Sequence, residues 1–490
     1  DRLNFSQLHI VQIYFRIILH YFSFFIRGNT KVKYELTEKK AAEILGISES
    51  RVSQLVKGKL LDAVTINGRV RISRESAERY RSEARKTGRP PKTSYATVSQ
   101  YTLMNASHEV ASVLFDSAAD EPLSVSEVID PTYAPIGVLT RGGNPKRRVL
   151  NSWWLHRSVP RTRPGIESKL VQSGLNTPSN LAIKSMGLSL SDCYWLRPND
   201  APTLTWNEVN FYDNDFIDSN IDDWDDWLSG IGLSSPDNTS EGELPKKWVI
   251  GTNGTRYLLK GCRSDDQRPY NEAVATALYR RLLNPCDYVP YDIVGTAQGA
   301  AAKCPNFLGR SEEFITADQA REATSSSRGN SVYDRFCRDA SLLGVNEAEL
   351  RAHMSKMIVC DTILANSDRH WRNFGFIRNL DTMAIRPAPL FDSGNSLWFA
   401  KTEREVATGD RAFLARPFAY NVNEQLACVD DVSWFNPGAL RGFADEACDI
   451  LSASSHAKPR LDFIHEGIEQ NIKLVEGACA LLSGRIARGK

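Results

Sequence analysis

The sequence contains no C-x-x-C pair, and its nine cysteines are odd in number. A zinc knuckle needs closely paired thiolates, and a disulfide framework needs an even set. Both are excluded as the basis of the fold, and buried reduced thiols in a cytoplasmic protein are expected. Long apolar runs are scarce too. The best candidate, residues 10–26, is interrupted by Gln12, Arg16 and His20. A membrane helix needs about 20 mostly apolar residues, and no small-residue cleavage site follows this stretch. Residues 1–33, which begin at Asp1 rather than Met, are read as an apolar leader whose status the sequence leaves open. No membrane partner is expected. Net charge is almost absent at +1, but its distribution is uneven. Residues 27–93 carry 17 basic and 8 acidic side chains, whereas residues 94–490 carry 41 and 50. A basic head on an acidic body directs the head toward a polyanion. With 42% apolar and 24% charged residues the composition is globular, which excludes a wholly disordered, collagen-like or multi-span chain. A length of 490 residues accommodates about three domains.

The head has the grammar of a DNA reader. Thr37 is a good N-cap for a short helix with Ala41, Ala42, Ile44 and Leu45 on one face. Gly46-Ile47-Ser48 ends it, and Ser48 caps a second helix from Glu49 to Lys57 with Val52, Leu55 and Val56 turned inward. Two short helices joined by a tight Gly-containing turn form a helix-turn-helix. The second helix offers Ser50, Arg51, Ser53, Gln54 and Lys57 outward, side chains suited to base edges and phosphates. Asn67-Gly68 between two β-prone runs predicts a hairpin, with Arg69 and Arg71 on one face as a basic wing. A third helix is predicted over 74–85, and Arg89-Pro90-Pro91-Lys92 makes an extended basic linker. This region resembles the excisionase/MerR-type winged helix-turn-helix family, which implies DNA as a partner of residues 34–93.

The middle of the chain is less legible. Residues 100–105 and 109–115 read as paired strands around a turn, and residues 151–172 as a helix-rich patch. The basic run 157–163 is read as a solvated face. Seven aspartates crowd residues 213–226, but the D-x-[DN]-x-[DN]-G order of a calcium loop is missing, so an acidic amphipathic turn is expected there.

Residues 358–398 carry the chemistry. An apolar helical run ends in Asn366-Ser367-Asp368-Arg369-His370-Trp371-Arg372-Asn373. A short hairpin over 374–385 follows, and then Leu390-Phe391-Asp392-Ser393-Gly394. An Asp delivered by a helix, an Asn five residues later, and a second Asp beyond a hairpin follow the catalytic-loop order of protein kinases. Asp368 would accept the proton of the attacking hydroxyl, while Asn373 and Asp392 would hold Mg²⁺ against the ATP phosphates. Upstream, a hairpin turning at 252–254 leads to Lys260, placed for the α/β-phosphates. Glu272, in the first turn of a predicted helix 271–283, can pair with it. The loop 235–247 is small and polar, though not G-x-G-x-x-G. Residues 304–308 and 312–315 are the candidates for an adenine-facing hinge.

Together these residues resemble the HipA-like serine/threonine kinases of bacteria, a family of toxins from toxin–antitoxin pairs and relatives with attached DNA-binding regions. The resemblance implies an ATP- and Mg²⁺-dependent protein kinase with Asp368 as catalytic base. His370 would brace the catalytic loop, and Asn373 and Asp392 would be the metal ligands. It also implies a phosphate loop holding Ser240, Gly242 and Lys246, in which the serine can be autophosphorylated. Glu241 and Glu243 depart from the small residues usual in such a loop. The expected fold class is α+β: a two-lobed protein-kinase-like fold preceded by a small winged helix-turn-helix domain. The expected segments are a head at 34–85, a linker at 86–95, an accessory α+β region at 96–235, a first lobe at 236–315 and a second at 316–490. Two other readings stay open. One is a transcription regulator whose kinase fold binds a nucleotide without catalysis. The other is a kinase of a small molecule or lipid, since such enzymes share the Asp-x₄-Asn spacing. The presence of all five of Lys260, Glu272, Asp368, Asn373 and Asp392 favours an active protein kinase over a non-catalytic fold, since a decayed site would have lost one, and nothing in the sequence names the acceptor.

Overall fold

A computed structural model describes residues 34–488 apart from 46, 59, 67–68, 87–97, 117–120, 141–142, 160–165, 167–169, 171–174, 176, 217–235, 237–245, 262–265, 297–298 and 325–330. The leader, the linker prolines, Ser240, Gly242 and most of the aspartate cluster thus lie outside the described residues. The chain divides into two compact units, residues 1–95 and 96–490.

In the first unit β1 (Tyr34–Leu36) precedes α1 (Glu38–Leu45) and α2 (Glu49–Lys57). The hairpin β2 (Ala63–Ile66) and β3 (Arg69–Ser73) follows, then α3 (Arg74–Lys86). Thr37 caps α1 by accepting from the Lys40 N–H at 3.3 Å. The apolar faces of the two helices meet Leu36, Leu61, Ile72 and Ala77 in a small core. β1, too short to show a period in the sequence, closes a three-stranded antiparallel sheet in the order β1-β3-β2. Its Leu36 is buried in that core. One correction applies to α2: Ser53 is not offered outward. Its hydroxyl donates to Glu38 at 2.6 Å and locks α2 onto α1.

The second unit begins with an accessory module. Strands β4 (Val98–Asn105), β5 (His108–Asp116), β6 (Glu121–Val128) and β7 (Tyr194–Pro198) form an antiparallel sheet in the order β6-β5-β4-β7. Against it α4 (Arg147–Leu155) buries Leu150, Trp153 and Trp154 with Leu103, Val113 and Phe115. The start of the basic run is not a solvated face. Arg157 is buried, paired with Asp192, and donates to the carbonyls of Gly187 and Tyr194, so its charge is spent holding the module together.

The first lobe is an antiparallel sheet ordered β10-β11-β9-β8. It comprises β8 (Lys246–Ile250), β9 (Arg256–Gly261), β10 (Asp292–Thr296) and β11 (Gly299–Pro305). Between β9 and β10 runs α5 (Arg268–Leu282), which starts earlier than the sequence suggested because Pro269 opens it. Glu272 therefore sits in its second turn. The second lobe is mostly helical, built around α6 (Glu347–Ile363) with α7 (Phe443–Leu451) and α8 (Leu461–Arg488). Asn346 caps α6 through the N–H groups of Ala348 and Glu349. The C-terminal half of α6 is mostly apolar and deeply buried: Met357, Ile358, Val359 and Ile363 are each at most 1% exposed, and the polar Asp361 and Thr362 are buried with them.

A small sheet of β12 (Glu312–Thr316), β13 (Gly375–Asn379) and β14 (Ile385–Pro387) belongs to the second lobe. Residues 312–315 therefore pair with the strand after the Asp368 loop rather than forming the hinge. Gly375 is required at this crossing, since a Cβ there would lie 2.1 Å from the Ile315 carbonyl oxygen.

The accessory module touches both lobes. Arg256 of β9 donates to the carbonyls of Phe211 and Asn214. Asn306, beyond β11, donates to Leu190, and the Phe314 N–H of β12 bonds to Ser191. A buried network completes the join. Glu313 pairs with Arg378 at 2.7 Å and accepts from Asn105 at 3.2 Å, while Arg378 donates to the Tyr194 hydroxyl at 2.9 Å.

Burial pushes the Glu313 carboxyl up to about 7; Arg378 opposes the rise and Asp192 adds to it. The folded value lies above the ordinary one, so the native state holds this proton more tightly than the unfolded chain does. Its stabilising contribution is complete below about pH 4.5 and is lost as pH rises through about 7. Unfolding of wild type and Glu313→Gln should converge near pH 5. Toward pH 8 the wild type should lose up to roughly 3 kcal/mol relative to the variant. Urea titrations at pH 5, 6.5 and 8 check this, and parallel pH profiles would assign the slope to another group.

Candidate active site

The site forms where the first-lobe sheet, α5 and two second-lobe loops meet. Lys260 stands near the end of β9, directly opposite Lys246 of β8 and Ala302 of β11. Period-2 alternation makes directly paired residues share a face, so both lysines look the same way. The Lys260 ammonium lies 3.1 Å from Asp392 Oδ1, 3.6 Å from Glu272 Oε1 and 3.1 Å from the Tyr291 hydroxyl. Burial works against the charge on Lys260, but Asp392, Tyr291 and Glu272 together hold it well above the usual lysine value. The two carboxylates are driven apart. Burial raises Glu272, whose Oε2 accepts from the Ser393 N–H at 2.9 Å. Burial also opposes ionisation of Asp392, but Lys260 and then Lys246 pull it below the usual carboxylate range. Asp392 adopts φ 58°, a left-handed turn conformation, and its side chain is 30% exposed.

The second half of the site hangs from the end of α6. Ala365 at φ 50° turns the chain out of the helix. Asn366 then fixes the loop, donating to Asp361 at 2.8 Å and accepting from the Asp368 N–H at 3.0 Å. Asn373 donates its side-chain amide to the Asp368 carbonyl at 3.0 Å, which leaves its Oδ1 as the oxygen available to a cation. The His370 ring accepts from the Arg372 N–H and braces the loop from within. At the centre is Arg369, fully buried. Its guanidinium makes a bidentate pair with Asp361 at 2.8 and 2.9 Å. It also donates to the carbonyls of Asn373 and Phe391 at 2.7 and 2.6 Å and to the Ser393 hydroxyl at 3.2 Å. One side chain thus ties the Asp368 loop to the Asp392 loop.

Of the residues singled out from sequence, Lys246, Lys260, Glu272 and Asp392 are brought together by charge, and Asp368, His370 and Asn373 by backbone and side-chain bonds. Sequence reasoning missed Arg369, Tyr291 and Asn395. Asn395 donates to Asp368 Oδ2 at 2.6 Å; its place three residues after Asp392 was the available signal. For a Mg²⁺ ion, the Lys260 ammonium against Asp392 already acts as a stand-in cation. Asp392, with the free oxygen of Asn373, is the hard oxygen donor set that the ion prefers. Among the described residues no group of three His, Cys, Asp or Glu side chains converges, so phosphate oxygens or water would complete the shell. In the head, Ser50, Gln54 and Lys57 are exposed along α2, and Arg71 is half-buried on β3. The side chains of Arg51 and Arg69 lie outside the described residues.

The thiols differ from expectation in part. Cys193, Cys304, Cys337, Cys360 and Cys479 are buried, whereas Cys286 is exposed and Cys428 and Cys448 are half-buried. Among the described residues no helix is long and apolar enough to cross a membrane.

Fold and site define a two-lobed, protein-kinase-like protein with an N-terminal helix-turn-helix domain. A family profile described as a helix-turn-helix domain matches residues 35–85. Comparison with curated proteins gave no match. Among solved structures, a chain of the Shewanella oneidensis MR-1 complex of HipA, HipB and operator DNA is similar at 13% identity. That match has a TM-score of 0.49 and covers 78% of this chain and 99% of that one. The Helicobacter pylori proinflammatory kinase CtkA is similar at 14% identity and a TM-score of 0.37, over 49% of this chain and 95% of that one.

Proposed function

We propose that residues 236–490 transfer the γ-phosphoryl group of ATP to a serine or threonine hydroxyl of a protein, and that the head binds DNA. The observation that carries the first part is Lys260 held by both Glu272 and Asp392, beside a loop in which Asp368 and Asn373 are joined. In this reading Lys260 and Lys246 receive the phosphates, and Glu272 keeps Lys260 aimed at them. Asp368 takes the acceptor's proton as its oxygen attacks the γ-phosphorus, and the bond to the β-phosphate oxygen breaks to release ADP. Asp392 and Asn373 would hold Mg²⁺, which would supply neutralisation of the phosphate charge. Ser240 is an internal acceptor candidate. Incubation with γ-labelled ATP and Mg²⁺, followed by mass spectrometry of the protein and of a lysate, tests the reading. No label in either sample would overturn it.

For the head, the supporting features are the basic excess and the exposed polar row Ser50, Gln54 and Lys57 on α2. Several phosphates neutralised at once make affinity fall steeply with salt. Changing Arg51 or Gln54 should alter sequence preference, while Arg69→Ala or Arg71→Ala should weaken binding to all sequences alike. Mobility shifts of the full chain at several salt concentrations measure both effects. Salt-independent binding, or none at low ionic strength, would remove DNA from the account.

A further inference from the structure

Asn395 links the two loops of the site at their working ends. Its amide Nδ2 donates to Asp368 Oδ2 at 2.6 Å. Its main-chain carbonyl accepts from the Ser367 N–H and from the Ser367 hydroxyl, both at 3.2 Å. Both bonds point into the loop that carries Asp368. Asn395 is itself held from behind. Asn271, fully buried on α5, donates to the carbonyls on either side of it, Gly394 and Ser396, each at 2.8 Å. Gln267, also buried, donates to Leu397 at 3.3 Å and to Asn271 at 3.0 Å. The chain of contacts therefore runs from α5, the helix that carries Glu272, through residues 394–397 to the carboxylate of Asp368. Half-buried Asp368 has further polar partners in its own loop, but the Asn366 side chain binds its backbone N–H, and the Asn373 amide and the His370 N–H bind its carbonyl, so these bonds leave the carboxylate untouched.

A carboxylate that must accept a proton from an incoming hydroxyl needs one oxygen free and its plane fixed. A short side chain with two torsions does not fix that plane alone. An amide donor on one oxygen does, and it leaves the other oxygen unbonded and facing the acceptor. We infer that Asn395 is a positioning residue for phosphoryl transfer, orienting Asp368 through Oδ2 so that Oδ1 meets the acceptor hydroxyl. The inference rests on the kinase reading above. Among the described residues the hydrogen bonds of Asn395 go to Asp368 and Ser367 rather than to Asp392, Asn373 or Lys260, so its effect should fall on turnover and spare nucleotide affinity. A gain of two to four powers of ten from a well-placed base implies that loosening it forfeits part of that range.

The test uses the full chain and follows ADP release and label transfer under saturating ATP and Mg²⁺, with ATP affinity measured by calorimetry. Asn395→Ala should lower kcat by about 10- to 100-fold, a fraction of the worth of the base, with ATP affinity unchanged within about twofold. Asn395→Asp, the same shape with its donor gone and a carboxylate facing a carboxylate, should be slower still, and its near-identical size keeps the test open if the alanine variant fails to fold. In an Asp368→Asn background, Asn395→Ala should produce no further loss, because the group it positions has gone. Equal losses in both backgrounds, wild-type kcat in Asn395→Asp, or ATP affinity falling in step with kcat would overturn the inference while leaving the kinase reading intact. A wild-type protein that transfers no label would overturn both.

Discussion

Asp368→Asn should bind ATP as wild type does yet transfer the γ-phosphoryl group about 10²–10⁴-fold more slowly, the usual worth of a positioned general base. The substitution keeps the size of the side chain and its backbone bonds to Asn366, Asn373 and His370, so the loop should stay in place. What is lost is the capacity to take a proton. Positioning and charge neutralisation account for most of phosphoryl-transfer catalysis, so a residual rate is expected rather than none. Single-turnover label transfer alongside calorimetric ATP binding separates the two effects. Wild-type transfer by Asp368→Asn would show that the base lies elsewhere.

Asp392→Ala should act earlier, on binding. Its carboxylate faces the Lys260 ammonium at 3.1 Å, is held below the usual carboxylate range by Lys260 and Lys246, and offers an oxygen donor to a cation together with Asn373. Removing it should abolish most Mg²⁺-dependent ATP affinity while leaving the weaker, metal-free component. It also frees Lys260 to swing toward Glu272, whose carboxyl burial otherwise keeps it raised. Glu272 should then stay ionised to lower pH than in wild type. Calorimetry with and without Mg²⁺ reads the first effect. Unchanged Mg²⁺-dependent affinity would remove Asp392 from the metal site.

The parts of this architecture legible in the sequence are those with short-range signals. A Thr cap, an Asn-Gly turn and helical periodicity expose the head, and the order Asp-x₄-Asn, hairpin, Asp exposes the site loops. What escaped depends on partners far along the chain. Arg369 reads as one more basic residue of a polar loop, and only the folded chain shows it buried against Asp361 and two carbonyls. Arg157 escaped for the same reason: a run of arginines looks solvated until Asp192 is brought to it. Residues 312–315 read as a hinge because nothing local in the sequence shows that they pair with β13. Pairing is decided by register, which no local signal carries. The start of α5 shifted because a Pro opens helices as readily as it ends them.

The polar join between the accessory module and both lobes bears on cooperativity. A kinase fold built of two lobes alone can lose its smaller lobe first, because few contacts hold the lobes together. Here Arg256, Asn306, Phe314 and the Glu313–Arg378 pair attach one module to the strand that carries Lys260, to the inter-lobe connection, and to the sheet next to Asn373. Trp248 and Ile250 of β8 and Leu380 beyond β13 share one apolar cluster with Trp195, Trp206 and Phe211 of the module. Neither lobe can melt without baring that cluster, so residues 96–490 should behave as one thermodynamic body although their sequence reads as three. The module is thus a structural part of the two-lobed unit, and substitutions at Asn105 or Tyr194 should be felt at Asn373 through the strand that begins two residues after it.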